Sequence, residues 1–457
     1  MNQILLYSMT VWFGPAYDET AMAGSELDGL KVGDDAVVPR ARYTDPGFAA
    51  LEFERLWGRV WQVACREEEV ADVGDFLEYT IGDQSILVVR SAPDTVGAFF
   101  NTCLHRGTRL AEGTGRFDED CMRCRYHAWR YDLGGALIEV VDGEEFDPLP
   151  EGLGLGKVRA ECWAGFVWIT LDPGAPPLLE YLGPLPALLA PYHLEGMRLR
   201  ANLATVLPAN WKVVVDAFNE GYHVQGTHPQ LLAWTDDVSL EYEALGIHAH
   251  YGRLPGARRA LRPSPRLGLA EGDYDEGEIL EHFVAGLGGL FSDDERALVA
   301  RVRAEAGAGG TTMLARYQAG RRQLLEAHGV DTTPFTDDQL TSADDVFFFP
   351  NMVGPIYPGS AIVFRVRPNG LDPDSAVKDT WFLEWPRPGH ESRRARRRFY
   401  PEWTERDWGE ITNQDYANMD HVQRGMHTRG GGLRLNRRQE SNVLHMHRTI
   451  DRYLGAP

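Results

Sequence analysis

Two cysteine–histidine pairs, Cys103-Leu104-His105 and Cys124-Arg125-Tyr126-His127, constrain this chain more than any other feature. Eighteen residues separate them. Thiolates and neutral imidazoles both bind iron and zinc. Two sulfur and two nitrogen ligands therefore admit two metal readings. One is a structural zinc; the other is a [2Fe-2S] cluster with both cysteines on one iron and both histidines on the other. A chance meeting of buried thiols and surface histidines is the plain alternative. It is weak, because three of the five cysteines fall in this one stretch. Cys121 has no histidine at a matching offset and reads as a spare loop thiol.

The flanks separate the two metal readings. Arg106-Gly107-Thr108-Arg109-Leu110 follows the first pair, and Ala128-Trp129-Arg130-Tyr131-Asp132-Leu133-Gly134-Gly135 follows the second. These segments resemble the two cluster loops of Rieske-type non-haem iron oxygenases, in the large (alpha) subunit. The resemblance implies that Cys103, His105, Cys124 and His127 bind a Rieske [2Fe-2S] cluster. The chain departs from the family in a slightly longer gap between the loops and in Ala128, where glycine is usual.

A second constellation lies at Asp216-Ala217-Phe218-Asn219-Glu220-Gly221-Tyr222-His223-Val224-Gln225-Gly226-Thr227-His228-Pro229. His223 and His228 are five apart, whereas helix neighbours are three or four apart. A helix carrying them must end or distort between them, and Gly226 and Pro229 supply the means. Two histidines and a carboxylate with open positions form the facial triad of non-haem Fe(II) oxygenases. Alone, two nearby histidines read as ordinary polar side chains; beside a cluster motif they gain weight. Asn210-Trp211-Lys212, Glu220, Tyr222, His223 and His228 match the family's iron motif, while Ala217 stands where asparagine is common. The resemblance places Asp216, Tyr222 and Asn210 around the metal without binding it. For the third ligand it points to Asp415, in Asn413-Gln414-Asp415-Tyr416-Ala417-Asn418-Met419-Asp420, with Asp420 as the alternative. Either acid could instead face solvent. Glu220, three residues before His223, reads on spacing alone as an exposed helix acid. In the family an acid there bridges a cluster histidine of one subunit to an iron histidine of the next. Carried over, this links His105 or His127 of one copy to His223 of its neighbour and implies a homotrimer.

A length of 457 residues predicts two or three domains. The net charge of −21 argues against nucleic acid and anionic membrane surfaces as partners. No apolar run is long enough to span a bilayer, and the opening Met1-Asn2-Gln3 lacks a basic region typical of a signal peptide. Few cysteines at metal-ligand spacing fit a reducing, cytoplasmic setting.

Residues 1–40 read as a loose arm. Thr44-Asp45-Pro46 reads as a helix start. Strands are predicted at 76–80, 85–90, 96–101 and 164–172, with turns at Gly82-Asp83 and Pro93-Asp94. The fold class expected is α+β: an antiparallel β Rieske domain over 41–165, then a helix-on-antiparallel-sheet, helix-grip-like catalytic domain over 166–457. That second part is predicted to hold a strand at 198–207, a helix opening at Asn210 and running through the histidine pair, and strands at 346–349, 361–368 and 380–385. A helical insert at 255–342 contains helices at 278–287, 293–303 and 313–327, and a lid over the substrate pocket is the role it suggests. The basic run Arg393 to Arg398 reads as a solvated helix face, with a docking patch for an acidic redox partner as the alternative. A last helix is expected from about 403 to 427. His248, His250, His445 and His447 read as surface or core histidines.

The parts imply an oxygenase. Electrons would pass from an NAD(P)H-dependent flavin reductase, with or without a ferredoxin, through the [2Fe-2S] cluster to a mononuclear Fe(II) that activates O2. No nucleotide-binding glycine motif follows a strand, so the reductase must be a separate protein. A small beta subunit is compatible with this reading. The expected substrate is an aromatic or other hydrophobic small molecule. Monooxygenation or demethylation of a non-aromatic substrate stays open, as do two other classes: a pure Rieske electron carrier and a zinc-stabilised scaffold.

Overall fold

The computed structural model describes residues 29–146, 148–252, 261–270, 272–287, 289–305, 311–389 and 395–455. Most of the expected arm, and Arg393 and Arg394 of the basic run, lie outside the described residues.

Two large sheets organise the molecule. The first takes β1 (Gln62–Arg66), β2 (Asp75–Ile81), β3 (Gln84–Ala92), β4 (Thr95–Phe100), β5 (Thr114–Arg116), β9 (Lys157–Trp163) and β10 (Phe166–Thr170), in the order β1-β10-β9-β4-β3-β2-β5. Between them, β6 (Cys121–Arg123), β7 (Arg130–Asp132) and β8 (Leu137–Glu139) form a small separate sheet. Strands β2 to β4 are β-branched and aromatic, with buried positions where they pack. The predicted turn at Gly82 adopts a φ of 58°, and a Cβ there would stand 2.7 Å from the Phe53 ring. The expected strand at 164–172 is β10, and it joins this first sheet. Neither β1 nor β9 was legible in the sequence.

The second sheet has eight strands, in the order β12-β13-β14-β15-β16-β17-β11-β18. They are β11 (Arg198–Leu207), β12 (Glu241–Leu245), β13 (His248–Gly252), β14 (Asp344–Phe348), β15 (Met352–Tyr357), β16 (Ser360–Asn369), β17 (Asp372–Glu384) and β18 (Arg397–Tyr400). All neighbours are antiparallel except β18, which runs parallel to β11. The end of the basic run is therefore an edge strand rather than a helix face. Arg397 is drawn in by the buried Asp379, 2.7 Å from its Nε.

Asp45 caps α1 (Pro46–Glu52) by accepting from the Phe48 N–H at 2.8 Å. Asn210 caps α2 (Trp211–Ala217) in the same way through the Lys212 N–H. The expectation of one helix through the histidine pair is wrong: α2 ends at Ala217, and α3 (Val224–Thr227) is a separate short turn. Helices α4 (Glu276–Gly286), α5 (Asp293–Ala304) and α6 (Met313–Ala327) form the insert and pack on the sheet through Tyr357 and Ile362. The expected last helix starts later, at Glu410, as α7 (Glu410–Met426). A further helix, α8 (Ser441–Gly455), follows it and was not foreseen.

The two sheets share a continuous apolar core running from Val63 and Phe166 to Val363 and Trp381. Arg365 crosses the junction, holding Asp379 at 2.7 Å and donating to the carbonyls of Val63 and Ala64.

Candidate active site: two metal centres

The cluster loops are built alike. In the first, the Cys103 N–H donates to Thr108 O and the Gly107 N–H to Cys103 O; in the second, the Cys124 N–H donates to Trp129 O and the Ala128 N–H to Cys124 O. Gly107 and Ala128 occupy the same place and both take positive φ, 72° and 59°. The missing glycine therefore leaves the loop geometry intact at some cost in strain. Asn101 clamps the first loop, accepting from Leu110 N and donating to Ala111 O. The two imidazoles, His105 and His127, lie with centroids 4.4 Å apart. Cys103 and Cys124 are buried, and the Nδ1 atoms of both histidines are buried without a partner. Two thiols and two orphaned ring nitrogens facing one space fit a [2Fe-2S] cluster bound through sulfur and nitrogen. The hydroxyl of Tyr131, which sequence reasoning missed, lies 3.3 Å from Cys103 Sγ and accepts from Leu104 N at 3.0 Å. Cys121 is set apart, its sulfur 3.3 Å from Arg130 Nε.

The second centre forms where the break after α2 meets α7. His223 precedes α3 and His228 ends it, so the two rings converge, with centroids 5.2 Å apart. Gly221 packs closely on Leu240 and Tyr242: a Cβ there would lie 2.9 Å from the Leu240 side chain and 3.2 Å from Tyr242 Oη. Asp415, buried on α7, brings Oδ1 to 2.8 Å from His228 Nε2 and 3.9 Å from His223 Nε2. One ligand atom from each of the three lies within 4.8 Å of the others.

The opposite ring nitrogens are both occupied. His223 Nδ1 meets Glu220 Oε1 at 2.6 Å, and His228 Nδ1 meets Gln414 Oε1 at 2.7 Å. An acceptor on each Nδ1 makes it the protonated nitrogen and leaves Nε2 as a lone pair, the state a metal requires. The donor set of two imidazoles and one carboxylate fits a non-haem Fe(II). Burial lowers the His223 pKa, but the Glu220 hydrogen bond and the charges of Glu220 and Asp415 outweigh it, and the net shift is upward.

Glu220 is neither helical nor exposed. Its Oε2 accepts from the backbone N–H of Tyr222 and of His223, so the carboxylate braces the turn that leads into α3 while it orients the ring. The Tyr222 side chain stands exposed. Asp420 is not brought to the histidines; it pairs with Arg424 at 2.8 Å. Asp216 also stands apart, accepting from Tyr43 Oη at 2.7 Å with His447 Nε2 at 3.4 Å. Asn210 donates to the carbonyls of Tyr43 and Pro373, so the structure gives it a capping and tethering role. His248, His250 and His447 do core duty, buried on Tyr181 O, Asp344 and Tyr43 respectively.

Two neighbours of the triad escaped the sequence reading. Gln414 immediately precedes Asp415, and that adjacency was its signal. Lys378 on β17 had none: it is buried, with Nζ 3.1 Å from Tyr416 Oη, and 3.7, 4.6 and 5.0 Å from the centroids of Phe364, Phe218 and Tyr416. Burial pushes its pKa down to about 7, with Asp415 acting the other way. A cavity of about 240 Å³ lies elsewhere, between the insert and the sheet, lined by Arg321, Ser360 and Trp385 among others but by none of the triad.

Comparison with known proteins agrees with this geometry. Residues 60–149 match the Rieske [2Fe-2S] domain, and residues 194–456 match the ring hydroxylating alpha subunit (catalytic domain). The chain is 27% identical to the glycine betaine monooxygenase oxygenase subunit of Chromohalobacter salexigens, over 91% of this chain and 88% of that one. It is 31% identical to the biphenyl 2,3-dioxygenase alpha subunit of Rhodococcus jostii, over 41% of this chain and 42% of that one. A solved quaternary ammonium Rieske monooxygenase shares the fold, with a TM-score of 0.65 at 18% identity, over 93% of this chain and 97% of that one. Among the described residues no helix is long and apolar enough to cross a membrane. With the catalytic match spanning more than half its length behind a Rieske match, the chain belongs to the ring-hydroxylating alpha-subunit family and is the oxygenase component of a Rieske non-haem iron system.

Proposed function

We propose that Cys103, Cys124, His105 and His127 hold the [2Fe-2S] cluster, and that His223, His228 and Asp415 hold the mononuclear Fe(II). The observation that carries this reading is the convergence of that triad with both Nδ1 atoms already engaged as donors. These three residues would hold an iron that supplies O2 activation, needed because ground-state O2 reacts poorly with closed-shell organic molecules. The chain's own residues orient and connect. Gln414 and Glu220 fix the two imidazole tautomers. Glu220 Oε1 keeps a lone pair for a second imidazole N–H.

In this reading the second imidazole is His105 or His127 of another copy, with Glu220 as the electron bridge between subunits. Exposed Leu104 and Tyr126 at the tips of the cluster loops support such docking. A homotrimer supplied by an NAD(P)H-dependent reductase, directly or through a ferredoxin, completes the system. Five unpaired cysteines fit a cytoplasmic setting. The [2Fe-2S] part extends to Thr170 in this division, and the insert at 255–342 lids the substrate pocket.

The substrate is a small, largely apolar molecule that the enzyme hydroxylates. Relatives named for glycine betaine and for biphenyl bracket the outcomes, monooxygenation and ring dioxygenation. Iron, acid-labile sulfide and the dithionite-reduced EPR spectrum of anaerobically purified protein test the site. About three irons and two sulfides per chain are expected. His223→Ala should lose one iron and keep the Rieske signal. Zinc without sulfide overturns the assignment.

A further inference from the structure

The cavity of about 240 Å³ between the insert and the sheet stands apart from the iron triad. Its sheet side is the start of β16 and the end of β17, where Ser360 pairs with Glu384. Lys378, packed beside Tyr416, lies six residues back along β17, about 20 Å away at the usual rise of a strand. A single water needs only about 10–15 Å³ of such space. The cavity is therefore large enough for a small organic molecule.

Its walls are partly apolar, with Leu325 on the insert side and Trp385 just after β17. Arg321 of α6, fully buried, brings a cation to the same lining. Its Nε donates to Glu295 Oε1 at 2.9 Å, and its guanidinium lies over the Phe291 and Tyr357 rings at 5.5 and 5.8 Å. Burial works against the charge, but Glu295 and its neighbours outweigh that effect and the pKa is raised. Glu295 is committed on both oxygens, since Oε2 accepts from the Ser292 N–H at 2.8 Å and closes the first turn of α5. Arg321 Nη1 is left buried with no partner among the described residues. So is the hydroxyl of buried Ser360, on the sheet side.

The other charges of the lining are already paired: Arg387 with Asp294 at 2.8 Å, and Glu384 with Arg200 at 3.9 Å. Two unspent donors thus remain, one from the insert and one from the sheet. Leaving buried donors unsatisfied costs free energy. A carboxylate suits them, because its two oxygens accept from a guanidinium N–H and a hydroxyl at once.

We propose that this cavity is a second ligand site, taking a small organic carboxylate whose oxygens meet Arg321 Nη1 and Ser360 Oγ and whose apolar body lies against Leu325 and Trp385. The bound molecule ties α6 to the β16–β17 end of the sheet. The site does not depend on the metal assignment above.

The probe is 4-bromobenzoate, with the full chain. By calorimetry it should bind at least about tenfold more tightly than 4-bromobenzamide, the worth of one charged hydrogen bond. A crystal soaked with the acid should show the bromine anomalous peak between α6 and Trp385. Ser360→Ala should weaken binding about tenfold. Leu324→Trp, which fills the cavity and removes no polar partner, should abolish it, as should Arg321→Met. Where Arg321→Met fails to fold, the other two variants carry the test. No bromine peak in the cavity, equal affinity for the amide, or unchanged binding in both Ser360→Ala and Leu324→Trp overturns the inference.

Discussion

Gln414 Oε1 lies 2.7 Å from His228 Nδ1 and 2.8 Å from Gln230 Nε2. One amide oxygen therefore fixes the ring orientation of a histidine of the proposed iron site, and a second glutamine holds that oxygen in place. Gln414→Leu should weaken Fe(II) binding about 10- to 100-fold, the usual cost of removing such a support. Gln414→Glu keeps the acceptor and should retain most of the metal. Fe(II) titration of the apoprotein measures both, and an unchanged Rieske EPR signal would confirm that the fold is intact.

Tyr131 acts on the other centre. Its hydroxyl accepts from Leu104 N, so its own proton is free for Cys103 Sγ at 3.3 Å. Hydrogen bonds to ligating sulfur raise the potential of such clusters. Tyr131→Phe should lower it by about 60 mV, the one-electron equivalent of a charged hydrogen bond of about 1.5 kcal/mol. Protein-film voltammetry reads this directly; an unshifted potential would show that the hydroxyl points elsewhere.

Ala128 holds a φ of 59°, where glycine is free of the Cβ penalty. Ala128→Gly should relieve about 1 kcal/mol of strain, partly offset by the greater freedom of glycine in the unfolded chain. A rise in thermal midpoint of a degree or two is the expected sign for a chain of this size, and a fall would contradict it.

His248 provides a pH dependence. Its Nε2–H donates to Tyr181 O at 2.8 Å, while Nδ1 accepts from Phe349 N at 3.0 Å. Only the neutral ring satisfies both, and burial pushes its pKa down to about 4. The unfolded chain, with an ordinary histidine pKa near 6.5, takes up the proton first as pH falls. Stability should therefore be fully present above about pH 6.5 and decline toward pH 4, by on the order of 3 kcal/mol at most. Thermal unfolding of wild type and His248→Gln at pH 7, 5.5 and 4.5 checks this: the variant should start lower and show a shallower decline. Equal slopes would remove His248 as the cause.

Much of this protein was legible before folding. Both cluster loops and the histidine pair stand out because metal chemistry restricts residue type and local spacing, and the family resemblance pointed to Asp415. Strands β2 to β4 and helices α4 to α6 were legible because their side-chain patterns and turn residues are local signals. The failures came where the partner is distant in sequence. Basic Arg397 reads as a solvated side chain until β17 brings buried Asp379 to it. Glu220 reads as a helix acid until the end of α2 at Ala217 turns its carboxylate onto the backbone N–H groups of Tyr222 and His223.

The sequence by itself singled out the proposed donor residues of two metal centres and the α+β class, since ligand motifs and short-range periodicity are written in nearby residues. Only the tertiary structure decided how Asp415 meets the two histidines, which glutamine steadies His228, and that Lys378 lies buried against Tyr416. Those relationships join residues 38 to 187 positions apart, and burial in a shared core, not local sequence, sets their distances.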